Sequence, residues 1–482
     1  MRLLPLLPSA VLAAHSLAGT PAPSLPAPQE HADHLPIMER PWFTGRSFSL
    51  GAPLNNPLLG SPQSGGLGLA NIWFPHLHIN QAYGGSSAAN PADLATGAHD
   101  PNADGWTLQG IEAESSFRFN RYLEGFTGHH FYWDQSSGWN YEHDESFLKI
   151  KSLPGGFELR GGQFFNRFGF HNATHLHGWD FTDSFLVNNQ LLGDHSVTTR
   201  GAEITWNLPI PWQSALSFSA GNAVVDDHNH GHDDEHEHDA ATFESHGAAF
   251  QDLLLSANWT NLVQINDFHR LRFGTSGAWG DNQFNRTTHV YGLHTEYEWR
   301  ENGLEPGGNY FRWRSEAMFR RFGAVSGPLP GESSDHSDHD DHADHADHDD
   351  HDDHDDHASH DADHHDDHDE HEADHDDHSD HNNSPQRRSF SDFGIYTYAL
   401  YGHQTGFAGP LELALRAEYT DGIADAGLEN RFRLSPSARL FFNKAATVSV
   451  GLQYNWDRFS NSRDEHSLWT QLSFDWGGPE VR

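Results

Sequence analysis

Residues 310–320 read YFRWRSEAMFR, and the way this stretch is read decides the fold. In an extended chain Phe311, Trp313, Ser315, Ala317 and Phe319 fall on one side, while Tyr310, Arg312, Arg314, Glu316 and Arg320 fall on the other. Alternation of period two marks a strand with two unlike faces. Charges at mid-strand on one of those faces require water there, because an unpaired buried charge is costly. The pattern recurs along the chain. Ile111, Ala113, Ser115, Phe117 and Phe119 oppose Glu112, Glu114, Ser116 and Arg118, and Phe432, Leu434, Ala438 and Leu440 oppose Arg431, Arg433, Ser435 and Arg439. The last segment sets Leu468, Thr470, Leu472, Phe474 and Trp476 against Trp469, Gln471, Ser473 and Asp475.

A soluble antiparallel sandwich and a membrane barrel both alternate in this way, so strand length and strand ends must separate them. The segments run well beyond the roughly 5 to 6 residues of a soluble strand and match a tilted strand that crosses a bilayer. Aromatic residues gather at their ends, as in Tyr454 with Trp456, Tyr297 with Trp299, and the run from His130 to Trp133. An interfacial girdle has this form. Strands are expected at 70–83, 105–119, 122–134, 142–151, 156–165, 199–208, 213–222, 250–260, 266–277, 287–299, 309–321, 388–402, 411–420, 429–440, 445–456 and 466–476. The expected fold is therefore all-β, a transmembrane antiparallel outer-membrane β-barrel of about sixteen strands.

The connections alternate in length. Short turns are expected at 120–121, 152–156, 208–212, 261–265, 301–308, 407–410 and around Asn443, and the intervening loops at 84–104, 135–141, 166–198, 223–249, 278–286, 322–387, 421–428 and 457–465. All the long insertions fall on one side, which in such barrels is the external one. The first residues, MRLLPLLPSAVLAAHSLAG, have the layout of a secretory signal over 1–18. A Pro- and Gly-rich periplasmic tail follows over 19–69, then the barrel over 70–476 and a short tail over 477–482. Some 50 residues before the first strand leave no room for a globular plug domain. The absence of Cys from all 482 residues excludes disulfides and thiolate metal sites.

The formal charge of −41 comes from 69 acidic against 28 basic residues, which excludes a nucleic-acid partner. Most of it is local. Residues 335–381 hold 16 of the 40 His and 23 acidic residues, with no Lys or Arg. Within that tract His336, His339, His342, His345, His348, His351, His354, His357 and His360 recur every third residue, with Asp between them. A second tract, DDHNHGHDDEHEHD at 226–239, carries His228, His230, His232, His236 and His238. Imidazole and carboxylate suit Zn2+, and Ni2+ or Cu2+ equally. So polar a tract cannot bury a core, so it offers many weak interchangeable sites that protons compete for near pH 6.5. A solvated spacer is the bland alternative.

Residues 162–195 mix His with apolar residues: GQFFNRFGFHNATHLHGWDFTDSFLVNNQLLGDH. His175, His177, Asp180 and Asp183, with His171 and His195 nearby, form either one ordered metal site or the hydrogen-bonded polar side of a loop folded into the barrel mouth. Trp179, Phe181 and Phe185 supply that loop with an apolar side. Arg312, Arg314, Arg320, Arg431 and Arg433 are expected to line the lumen with Glu112, Glu114 and Glu316, either as an anion filter or as an ion-pair lattice of both signs that also includes Arg439, Glu412 and Glu418.

This same region, with Phe165, Phe168, Gly169, Asn172, His175, His177, Trp179, Asp180, Phe181 and Asp183 at comparable positions, resembles a family of bacterial outer-membrane proteins described as zinc-regulated outer-membrane receptors or porin-like proteins. The resemblance is strong over 50 to 70 residues and implies an outer-membrane barrel linked to zinc supply. No catalytic motif competes, and no enzyme activity or organic cofactor is expected. The expectation is thus a porin-like channel for small solutes that aids uptake of a divalent metal captured outside. Its partners would be membrane lipid, divalent ions and a periplasmic metal carrier, and it would assemble as a homotrimer. The rivals are a surface metal buffer that is not an open pore, and an anion-selective general porin.

Overall fold

In the computed structural model the sequence's alternation closes on itself. The structure describes residues 72–120, 122–134, 138–224, 250–303, 307–326, 386–406, 408–422, 429–442 and 448–477. Both His/Asp tracts, the signal segment and the N-terminal tail lie outside the described residues. Sixteen strands follow one another: β1 Trp73–Ser86, β2 Gly105–Arg118, β3 Leu123–Asp134, β4 Gly138–Leu153, β5 Phe157–Phe165, β6 Thr198–Asn207, β7 Gln213–Ala223 and β8 Phe250–Asn266. The second half is β9 His269–Asn282, β10 Arg286–Arg300, β11 Tyr310–Ser326, β12 Gln386–Gln404, β13 Pro410–Thr420, β14 Arg431–Phe441, β15 Val448–Phe459 and β16 Asp464–Gly477. Each pairs antiparallel with its neighbours in sequence, and β1 pairs with β16 through Ile79 opposite Phe474, so no edge is left. Among the described residues one α-helix, α1 at Leu186–Leu192, lies between β5 and β6.

Burial alternates in the sense opposite to that of a soluble protein. Glu112, Glu114, Arg314, Arg320, Arg416 and Arg433 are buried inside, while Leu148, Phe218, Leu293, Leu413 and Leu452 stand exposed outside. Water cannot be the solvent of that outer face. Aromatic side chains ring it at both ends: Tyr83, Trp106, Trp133 and Trp139 at the loop end, and Phe119, Tyr122, Trp206, Trp212 and Phe268 at the turn end. An apolar band between two aromatic girdles on a closed barrel is the surface of an outer-membrane protein.

Leu293, 63% exposed at the centre of β10, tests this directly. Leu293→Arg is expected to destabilise the barrel by about 2–4 kcal/mol, the cost of a guanidinium near the bilayer midplane. Denaturant titration of the variant folded into lipid vesicles reads that loss, and an unchanged midpoint would mean this face does not meet lipid.

Two expected connections are corrected. The turn placed at 261–265 is strand, because Leu262, Val263, Gln264 and Ile265 are not turn formers and Val and Ile favour the pleat. The chain instead reverses at Asp267 and Phe268, where Asn266 Oδ1 accepts from the amides of Phe268 (3.0 Å) and His269 (3.1 Å). The loop expected at 278–286 shrinks to 283–285, with Asn282 Oδ1 accepting from Phe284 N at 3.0 Å and Asn285 at a positive φ of 50°.

Candidate functional site: two walls and a folded-in segment

The long connection 166–197 does not leave the barrel; it turns into the lumen and is fastened there by strand side chains. Asn172 closes its base, donating to Asn166 O (2.9 Å) and Val197 O (3.0 Å) and accepting from Val197 N (2.7 Å). Gly169 has a φ of +60°, and a Cβ there would stand 2.7 Å from the Glu316 carboxylate, so only glycine fits. Glu316 itself accepts from the Phe170 amide, Gln453 from Thr182 N (2.8 Å) and Glu418 from Leu186 N (3.0 Å). Strand carboxylates and amides thus satisfy backbone donors that would otherwise be buried without partners.

The segment has three sides. Its apolar side forms a core inside the barrel, where Phe185 stacks on Tyr396 at 3.8 Å, Phe181 meets the edge of Tyr398, and Val187, Leu191 and Leu192 pack with Val290, Met318 and Leu400. This core narrows the lumen on the side of β10 to β12.

Its second side carries acid to an arginine wall. Asp180 accepts from Arg312 Nη1 (3.1 Å) and from the Tyr398 hydroxyl (2.5 Å). Asp183 accepts from Arg416 (2.6 Å), Arg433 (2.9 Å), Gln453 (2.5 Å) and Asn455 (2.9 Å). Burial alone would raise the Asp183 carboxyl, but Arg416 and Arg433 outweigh it and hold it below its ordinary value. Most of the wall is likewise paired: Arg314 with Glu296 (2.7 Å), Arg320 with Asp392 (2.6 Å), and Arg431 and Arg433 with Asp457 (2.8 Å each), whereas Arg439, expected in the ion-pair lattice, donates to Trp179 O (3.0 Å) and Gln471 (2.9 Å).

The third side brings His to an acidic wall on β1 to β4. His175 Nδ1 lies 3.1 Å from Glu114, 3.4 Å from Glu112 and 3.5 Å from Asp144, and its Nε2 lies 2.9 Å from Glu145. His177 Nδ1 is 3.0 Å from Glu112 Oε2 and its ring stacks on His78 at 3.7 Å. Strand register explains why the wall is dense: His78 pairs with Glu112, Glu112 with His130, and His130 with Glu142, one row across four strands. A bulge leaves Asp144 without an opposing residue in β3, so that Asp144 and Glu145 both reach His175. The His130 ring lies over Gly110, where a Cβ would stand 1.9 Å from Nε2.

Beside this row is a cavity of about 60 Å³ lined by His99, His130, Glu142, Asp144, His175 and His195 among others. His99 stacks on His130 at 4.0 Å and lies 3.3 Å from Glu142 Oε2, while His195 approaches the same carboxylate at 3.6 Å. Burial opposes a charge on His99, yet Glu142, with Asp144 and Glu112 behind it, raises it to about 9. His171 goes the other way, lowered to about 3 by burial and by Arg314 and Arg416, and hydrogen-bonds Ser184 at 2.8 Å.

Four sets of three ligand groups lie within 4.8 Å of one another among the described residues: His76, His78, Glu114; Glu112, Glu114, His175; Glu112, His130, Asp144; and His99, His130, Glu142. The residues singled out from the sequence are therefore redistributed. His175 and His177 join the acidic wall, whereas Asp180 and Asp183, expected beside them, go to the arginines on the opposite side. Glu112 and Glu114, expected in a lattice with arginine, meet imidazoles. Sequence reading missed His76, His78, His99, His130, Glu142 and Asp144. His130 had been placed in the aromatic girdle, but Phe131 and Trp133 face outward there and His130 faces in. The signal was strand parity: His76 and His78 share a face of β1, and Glu142 and Asp144 lie two apart in β4. His336 to His360 and His228 to His238 lie outside the described residues.

No family model matches the chain. An uncharacterized protein of Aquifex aeolicus (strain VF5) is 32% identical over 73 residues, a match that spans 15% of this chain and 15% of that protein. Among solved structures, OprB of Pseudomonas putida covers 85% of this chain and 95% of its own at 8% identity with a TM-score of 0.48. An anion-selective porin from Comamonas acidovorans covers 84% and 98% at 8% identity with a TM-score of 0.45.

Proposed function

We propose that this protein is a porin-like outer-membrane channel that admits divalent transition-metal cations, zinc above all, along the His/carboxylate wall of its constriction. One observation carries the reading: the two walls differ in what they leave for a solute. Arg312, Arg314, Arg320, Arg416, Arg431 and Arg433 are held by Asp180, Asp183, Glu296, Asp392 and Asp457, fixed carboxylates that neutralise permanent charges, and Arg439 is held by Trp179 O and Gln471. The carboxylates Glu112, Glu114 and Glu142 instead face imidazoles, which release a proton to water when a metal ion binds and themselves ligate. Such a wall favours a borderline divalent transition-metal cation over an anion. The His/Asp tracts at 226–239 and 335–381 would raise the metal concentration at the entrance by tethered weak binding, with a periplasmic carrier drawing it off. The resemblance of the 162–195 region to zinc-regulated outer-membrane receptors points the same way.

Reversal potentials of the full-length protein in a planar bilayer across a zinc chloride gradient test the reading. The expected potential has the sign set by zinc, and deleting 335–381 lowers zinc current at low zinc without closing the pore. A potential set by chloride would make the protein an anion-selective porin, and electrical silence would make it a surface metal binder.

A further inference from the structure

We infer that the His/carboxylate wall is a relay, in which a divalent transition-metal ion passes between overlapping ligand sets that share one residue at each hand-over. This rests on the channel reading above and specifies its path. At the loop end His99, brought in by the 87–104 connection, joins His130 and Glu142. His130 belongs also to the next set, with Glu112 and Asp144. Glu112 belongs to a third with Glu114 and His175, and Glu114 to a fourth with His76 and His78, near the turn-end start of β1.

The spacing suits zinc. Bonds of about 2.0–2.2 Å to nitrogen and oxygen put tetrahedral ligand atoms about 3.3–3.6 Å apart. His175 Nδ1 stands 3.4 Å from Glu112 Oε1, 3.1 Å from Glu114 Oε1 and 3.5 Å from Asp144 Oδ2. A single ring proton cannot serve three carboxylates at once, whereas a metal ion serves them together. The wall also holds a ligand atom that hydrogen bonding does not use: His99 Nδ1 is buried and makes no hydrogen bond, and His99 belongs to the first of these sets. A buried polar atom left in this way is open to another ligand.

Overlap is what makes this a path rather than a trap. Conduction needs sites tight enough to admit an ion and numerous enough to let it leave. A shared Glu112 or His130 can hold the ion while the remaining ligands exchange, so the ion is never fully released into the lumen. Two neighbouring sets are not filled together, because two dications held a few ångströms apart on one shared group repel each other. The wall therefore holds fewer ions than it has sets.

The test uses the full-length protein, titrated with cobalt(II) chloride and followed by visible absorption, and then placed in vesicles containing a zinc-sensitive dye. The wild type is expected to bind no more than two cobalt ions at the wall, displaced by zinc, and to pass zinc. Glu112→Gln and His130→Gln are expected to weaken cobalt binding and slow zinc entry by about tenfold or more. Glu112→Asp, which keeps a carboxylate, should recover much of both, and Glu301→Gln at an exposed turn should match the wild type. Zinc entry that is unaffected by Glu112→Gln and His130→Gln overturns the relay and leaves the channel reading standing. Absence of zinc entry through a conducting wild-type pore overturns both, and cobalt bound independently at all four sets overturns the relay alone.

Discussion

Replacing Asp183 by Ala is expected to undock the folded-in segment, costing about 3–5 kcal/mol of its attachment to the barrel wall. Asp183 is the single acceptor shared by Arg416, Arg433, Gln453 and Asn455, all buried. Arg433 keeps Asp457, but Arg416 retains Glu418 at 3.3 Å, the Ser435 hydroxyl at 3.1 Å and two carbonyl acceptors on the segment itself. A buried guanidinium deprived of its nearest carboxylate draws water and moves, and the segment moves with it. Single-channel recording should show a larger, noisier conductance and a shift towards anions, while limited proteolysis should open a site in the Leu186–Leu192 helix. The pH dependence has a definite sign. Because the folded-state carboxyl is lowered, its stabilising effect is complete above the ordinary Asp value near 3.9 and is lost only as pH falls through the lower folded value. Acid should therefore release the wild-type segment only below the usual carboxylate range, and release at pH 5 would contradict the assignment.

Phe185→Ala should loosen the same segment by a different route, at about 3–5 kcal/mol for deleting a buried ring. The ring is stacked on Tyr396, edge-on to His171 and Phe181, and lies under Arg416 at 5.4 Å from the guanidinium carbon. No charge is removed, so conductance and protease sensitivity should rise without the anion shift of Asp183→Ala. Phe185→Leu, which keeps most of the volume, should recover most of the loss. Equal selectivity changes in Phe185→Ala and Asp183→Ala would show that the arginine wall is not balanced by the segment in the way its geometry indicates.

Much of the fold was legible because a barrel is a local code repeated sixteen times: YFRWRSEAMFR alone tells which side of β11 faces lipid and which faces water. Errors came where that code is silent. Turn formers, not apolarity, end strands, and so the turn lies not at 261–265 but just after it, where Asn266 caps the reversal. The inward fold of 166–197 was legible from its Trp and Phe content, but the partners of its polar residues were not. His175 and Asp183 lie only eight positions apart, yet they reach different walls, because the tight turn at Leu176–Gly178 and Phe181, buried in the apolar core, lie between them. The His wall was hidden for a related reason. Its members come from four strands and two loops, and only register brings His78, Glu112, His130 and Glu142 into one row.

The account's central claim is that a transition-metal ion is held by the imidazoles and carboxylates of β1 to β4 rather than by the external tracts alone. Anomalous diffraction at the zinc edge from crystals of the full-length protein grown with zinc tests it most directly. The account predicts anomalous density inside the barrel among Glu112, Glu114, His175 and His130. Density confined to the arginine side, or a wall without any zinc while other sites are filled, would contradict it.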